Sequence, residues 1–280
     1  MSTRRRRYEG PSIPADTYLE VLHAMHLSAY VESPFQQRGG LMVVGPPGAW
    51  KSSALHTVAD AYSDALELSD VNAQSLNRLK ERVAAGNIRT LILPEFAKLY
   101  ERANDTAANV EGTLRAMVAE GFRSASFQDP EVARFDARAF VFGAMTEATR
   151  DGHWEKWHDS GFSRRFLWSL VKLRNAFVFE EAVERWQLVD VRVAQIPRPP
   201  ATGYIPNLTT RVERARLRHL VKHQPVPHEL QVQVLAKTLA VLKWWRRQRR
   251  DDPRRALATL EVFARSLGAH GAQLTLNGER

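Results

Sequence analysis

The segment Gly45-Pro46-Pro47-Gly48-Ala49-Trp50-Lys51-Ser52-Ser53 lies between a short apolar run at 41–44 and a helical pattern over 53–62. No other stretch constrains the fold as strongly, because a glycine loop in this place demands a strand aimed at the N-terminus of a helix. The alternation then continues. Apolar runs at 65–68, 90–93, 139–144 and 166–173 read as strands. Residues 73–85 and 107–120 read as helices, and so does the polar stretch containing HWEKWH. Strands that alternate with helices predict a parallel sheet covered on both faces.

An opening helix is expected over 16–31 behind an Asp16 cap, preceded by a basic arm, MSTRRRRYEG. Pro197, Pro199, Pro200 and Pro206 predict a semi-rigid connector. Beyond it the pattern becomes wholly helical, at 211–222, 228–249 and 254–268. The division expected is 1–38 for arm and leading helix, 39–175 for the α/β domain, 176–210 for the connector and 211–280 for a basic helical domain.

Composition narrows the chemistry. The chain has no cysteine, which excludes disulfides, thiolate nucleophiles and zinc ribbons and makes a reducing, cytoplasmic setting the expectation. No apolar run approaches the roughly 18 residues of a membrane span, so no membrane partner is expected. Residues 211–280 hold 15 Lys or Arg against 6 Asp or Glu, whereas residues 1–210 hold 25 of each. A block of this kind attracts phosphate backbones, and equally it describes a solvated helix face.

Several residues carry chemistry by their placement. In a P-loop the amides of residues 45–53 hold phosphates, Lys51 reaches the β/γ-phosphates and Ser52 ligates magnesium. Trp50 stands where such loops have glycine, and an ordinary Gly/Pro turn before a helix would use the same residues. LILPEF delivers Glu95 from the end of a strand, where it can orient attacking water or simply cap the next helix. Pro94 occupies the position expected for a metal-supporting Asp. Thr146 follows the AFVFGA strand, and Ser163-Arg164-Arg165-Phe166 precedes the last strand, either as an arginine finger or as a surface pair. The run Lys243-Trp244-Trp245-Arg246-Arg247-Gln248-Arg249-Arg250 mixes cations with aromatics, a combination suited to backbone neutralisation with stacking, although adjacent tryptophans on a helix point different ways.

In order along the chain, GPPGAWKSS, LPEFAKL, FDARAFVFGAMT and SRRF resemble the AAA+ ATPase core of minichromosome maintenance helicases and their magnesium-chelatase-like relatives, over about residues 39–173. LATLEVFARSLGAHGAQL is similar to the last lid helix of that group. The resemblance implies a P-loop parallel sheet sandwiched by helices with a C-terminal all-helical lid domain, and ATP and Mg2+ as cofactors. It implies Lys51 and Ser52 as phosphate and metal contacts, Glu95 as catalytic glutamate, Thr146 as sensor and Arg165 as the finger reaching a neighbouring copy. It places Arg123 and Arg134 near a pore-facing hairpin, as nucleic-acid candidates beside Lys243, Arg246, Arg247 and Arg250. Ala258 stands at the lid's sensing position, with Arg265 two turns on. The expectation is an AAA+ ATPase that assembles with itself as a ring or filament and acts on DNA or a DNA-bound partner. The alternatives are an ATP-dependent scaffold or switch with little hydrolysis, and a chelatase-like ATPase that remodels a protein partner.

Overall fold

The computed structural model describes residues 13–31, 33, 36–69, 71–101, 104–121, 137–171, 176–187 and 205–277. The basic arm up to residue 12, most of the expected hairpin with Arg123 and Arg134, and most of the proline-rich run lie outside these residues. Five strands, β1 (Gly40–Val44), β2 (Ala65–Glu67), β3 (Thr90–Leu93), β4 (Phe140–Met145) and β5 (Phe166–Leu170), form one parallel sheet in the order β2-β3-β4-β1-β5. Val44 is level with Met145 on one side and Leu170 on the other, so β4, β1 and the edge strand β5 end together.

Strands β1, β3, β4 and β5 are buried at every position and almost wholly apolar, as parallel strands are when helices cover both sides of the sheet, whereas the short edge strand β2 is half-buried at Leu66 and Glu67. Successive side chains go to opposite layers. Leu41, Val43, Phe140, Phe142 and Leu167 belong to one apolar cluster, and Met42, Val44, Val141, Met145 and Trp168 to the other. Helix α1 (Ala15–Leu27), helix α2 (Lys51–Ala61) and helix α6 (Ala176–Gln187) lie in the first layer. Helices α3 (Ala73–Ala84), α4 (Asn104–Val118) and α5 (Glu147–Asp159) lie in the second.

Three C-terminal helices, α7 (Arg211–Val221), α8 (Glu229–Gln248) and α9 (Arg255–Asn277), match the expected helical segment. Their packing joins residues that the sequence assigns to separate segments. Helix α8 packs along α1 and α9 packs on β5, all within the same apolar cluster. Helix α1 therefore runs through the middle of the protein, and even His23 and His26 are fully buried. Asp16 is not its cap. The N-cap is Pro14, and Asp16 in the first turn accepts a hydrogen bond from Trp186 Nε1 at 3.1 Å. Trp186 belongs to α6, a helix that occupies 176–187 where a connector was expected, because Ala182, Val183 and Trp186 form an apolar face against α1 and α2.

Below the N-terminal ends of β2 and β3 lies a buried polar network. His26 Nδ1 is 2.8 Å from Thr90 Oγ1 and its Nε2 is 3.3 Å from Asp64 Oδ1. Tyr30 donates to Asp64 Oδ2, and Arg89 lies over the Tyr30 ring with its Nε 3.8 Å from Asp64. Burial pushes the Asp64 carboxyl up, but the bonds and charge from His26 and the Tyr30 hydroxyl outweigh it and hold the group below the usual range. His23 bridges Thr57 at 3.1 Å and Tyr62 at 3.3 Å, and burial, with His26 alongside, pushes it down to about 3.

Candidate functional site

The chain leaves β1 through α2 on one face toward β2, and leaves β4 through α5 on the other face toward β5. Adjacent strands whose connections depart in opposite directions open a crevice between their C-terminal ends, where open α/β sheets bind ligands. The residues at this switch point are Gly45 to Ser53 after β1 and Thr146 after β4.

Gly45 fits because its backbone runs against β5: a Cβ would come within 2.5 Å of the Val171 carbonyl. Pro46, Pro47 and Gly48 are exposed, whereas Ala49 is buried and anchors the loop. Gly48 has φ +74, and Trp50, the N-cap of α2, has φ 52. The left-handed backbone that favours glycine before the lysine is therefore present with a tryptophan in it, at a strain of about 1–2 kcal/mol. Trp50 is half-buried and packs against the apolar cluster, which offsets part of that strain. It makes no side-chain cap. The first amides of α2, which no helix can satisfy internally, thus form an uncapped anion-attracting end.

Lys51 Nζ donates to the Pro46 carbonyl at 2.7 Å, folding back over the loop, and partial burial holds its pKa below the usual lysine value. Ser52 Oγ donates to the Pro94 carbonyl at 2.9 Å, which ties the start of α2 to the end of β3. Ser53 is half-buried one residue on. This arrangement fits magnesium in a restricted way. Ser52 can ligate through a lone pair while its hydrogen stays on Pro94, but the carbonyl adds no negative charge, so phosphate oxygens would have to supply it. Glu95, the nearest acid in sequence, is exposed and paired with Lys98 one turn on.

After Glu95, residues Phe96–Glu101 form a 3-10 turn bonded to α4 and α5. Tyr100 donates to Glu111 Oε1 at 2.6 Å, and Trp157 Nε1 donates to both groups at 3.0 Å. Glu111 is 3% exposed and acquires its partners entirely from tertiary packing, so no local pattern announces it. Thr146 is the N-cap of α5, accepting from Thr149 N at 3.2 Å.

Arg165 donates to Glu120 Oε1 and to the Gly161 carbonyl, both at 2.8 Å, and its side chain is 14% exposed. Reaching another copy would require it to leave both partners. Arg164, beside it, is exposed.

No protein-family model matches the chain, and no curated protein does either.

The basic run on α8 is corrected in three places. Lys243 is buried with its ammonium on Glu213 at 2.9 Å and the Leu208 carbonyl at 2.8 Å. Arg246 bonds Thr259 at 2.8 Å and lies 3.7 Å from Glu20. Trp244 and Trp245 are both buried, at 9% and 1% exposure, because α8 is enclosed by α1, α7 and α9, so neither can stack on a base. Arg247 and Arg250 remain exposed. Among the described residues no His, Asp and Glu cluster could hold a metal ion, and no helix is long and apolar enough to cross a membrane.

Proposed function

We propose that this chain is a nucleotide-binding P-loop protein of AAA+ type that takes ATP at Gly45–Ser53, assembles with copies of itself and acts on DNA. The observation that supports it most is the position of the glycine loop: it enters an uncapped helix at the topological switch point, carrying Lys51 and Ser52 on the first turn. In this reading the α2 amides would bind the β-phosphate, Lys51 would leave Pro46 for the β/γ-phosphates, and Ser52 would hold a magnesium ion, whose charge would neutralise them. Glu95 orients water once it leaves Lys98, Thr146 contacts the γ-phosphate or that water, and Arg165 serves a neighbouring copy's nucleotide. The C-terminal helices follow the α/β domain in sequence as the lid of that group does, and in this chain they pack on α1 and β5.

A second reading has its own support, the carbonyl of Pro94 where a carboxylate is expected. It makes the protein a switch or scaffold that binds ATP, assembles and turns over slowly. Fluorescent-nucleotide titration with magnesium tests the shared premise: affinity is expected in the natural protein and lost in Lys51→Ala, and its absence from the natural protein sinks both readings. Steady-state hydrolysis then separates them, since Glu95→Gln stops a motor and leaves a scaffold's assembly unchanged.

A further inference from the structure

The positive excess of residues 211–280 divides in the fold into cations consumed by internal partners and cations turned to solvent. Lys237 donates to the Gln37 carbonyl at 2.6 Å, and Lys243 and Arg246 are engaged as described above. On α7 fewer are consumed, and those that are paired, Arg216 and Arg218, have partners at the surface. Arg211, Arg216, Arg218 and Lys222 are exposed and Arg214 is half-buried, while Leu217 and Val221 hold the helix to the core. Positions 211, 214, 218 and 222 follow the three- and four-residue spacing of one helix flank, so these four side chains make a row about 16 Å long at about 1.5 Å per residue.

Acids near the row are few and already engaged. Glu213 is turned inward to Lys243, Glu229 pairs with Arg218 at 3.1 Å, and Glu261 lies 3.6 Å from Arg216 off the row. At one end of the row, α7 begins beside the last turns of α8, where Lys243 reaches the Leu208 carbonyl and Arg247 and Arg250 are exposed one and two turns on. At the other end, His228 caps α8 next to Glu229, within the field of Arg164 and Arg165.

What the surface lacks decides its partner. Among the described residues Val212, at 74%, is the large hydrophobic side chain that stands exposed, and the neighbouring tryptophans are buried. Protein interfaces draw their affinity from aromatic and apolar anchors, and single-strand grooves draw theirs from aromatic stacking. A row made mainly of arginines matches phosphate oxygens by bidentate hydrogen bonding and needs neither. We propose that the Arg211, Arg214, Arg218 and Lys222 flank of α7 binds the phosphate backbone of duplex DNA without sequence preference. This deepens the DNA-directed half of the proposed function and does not depend on the glycine loop.

Fluorescence anisotropy of the full chain with a duplex of about 20 base pairs, and with its single strand, over about 50–200 mM salt tests the assignment. The duplex is expected to bind more tightly, with log K falling by about 3 per decade of salt if Arg218 stays on Glu229 and by about 4 if it turns to phosphate. The triple variant Arg211→Ala, Arg214→Ala, Lys222→Ala should lose at least about tenfold at the lowest salt and flatten the slope by about 2–3, with an unchanged circular dichroism spectrum. Lys51→Ala should bind the duplex as the natural protein does, so a failed nucleotide reading leaves this result standing. Undetectable duplex binding, preference for the single strand, a triple variant that binds normally, or displacement of the duplex by polyglutamate at equal charge would each overturn the assignment.

Discussion

At the N-terminal edge of the sheet, His26, Asp64, Tyr30 and Thr90 bind one another below β2 and β3; at the C-terminal edge, Lys51 folds onto a carbonyl of its own loop and α2 starts without a side-chain cap. Both edges are polar, the lower one built from α1, the turn after it, the α2–β2 connection and the start of β3, the upper one from the loop after β1 and the first turn of α2. The lower network spends its donors and acceptors on neighbours inside the protein and has little to offer a ligand. The upper loop keeps amides, a lysine and a hydroxyl where they meet solvent or exchangeable partners, and holds a tryptophan in a backbone region suited to glycine. Polar residues become structural where their bonds are complete, and become candidates for function where those bonds are replaceable.

Substitutions at the two edges should therefore have opposite signatures. Asp64→Ala, which strands His26 and Tyr30, should lower unfolding free energy by about 3 kcal/mol in a urea titration and leave nucleotide affinity unchanged. Lys51→Ala should do the reverse: a loss of about 10–100-fold in ATP affinity by fluorescent-nucleotide titration, with stability within about 0.5 kcal/mol.

Acid should affect the lower edge first. His23 stays neutral in the fold down to about 3, while an unfolded chain takes up that proton near 6.5, so the contribution is complete above that pH and is lost as pH falls from 6.5 toward 3. The slope reaches about 1.4 kcal/mol per pH unit, and the depressed Asp64 carboxyl adds loss in the same direction below its unfolded value. Denaturant midpoints measured across that range should show the slope, and His23→Gln should flatten it. Asp in place of Pro94 should make nucleotide affinity depend on magnesium by about tenfold more than in the natural protein, compared with and without chelator. The smallest effect is expected for Trp50→Gly, where released strain and lost packing nearly cancel, leaving a stability change under about 1 kcal/mol by thermal unfolding.

These regions also differ in how far the sequence discloses them. The five strands and the loop at 45–53 are local patterns, short apolar runs of which those at β1 and β3 end in glycine or proline, and they fold where the pattern puts them. Lys51, Ser52, Thr146 and Pro94 follow, because a strand end fixes its next residues in space. The lower network is illegible: His23 and His26 occupy positions in an amphipathic-looking helix, and only the packing of α2, α6 and α8 around α1 buries the remaining face. The same kind of enclosure, by α1, α7 and α9, buries both Trp244 and Trp245. The ion pair of Arg165 with Glu120 and the inward turn of Lys243 are tertiary as well, joining residues 45 and 30 positions apart. An isolated basic run shows its charges and not which of them the fold consumes.

The central position of α1 sets a timetable for biosynthesis. Its partners α8 and α9 lie about 200 residues later in the chain, so a ribosome adding about 5–20 residues per second exposes α1 for on the order of 10–40 s before they emerge. During that interval Leu19, Leu22 and Met25 have only part of their final enclosure, and the nascent helix is a natural client for a chaperone. A chain that stops short of α8 would carry the whole glycine-loop sequence and still leave the middle of the protein open.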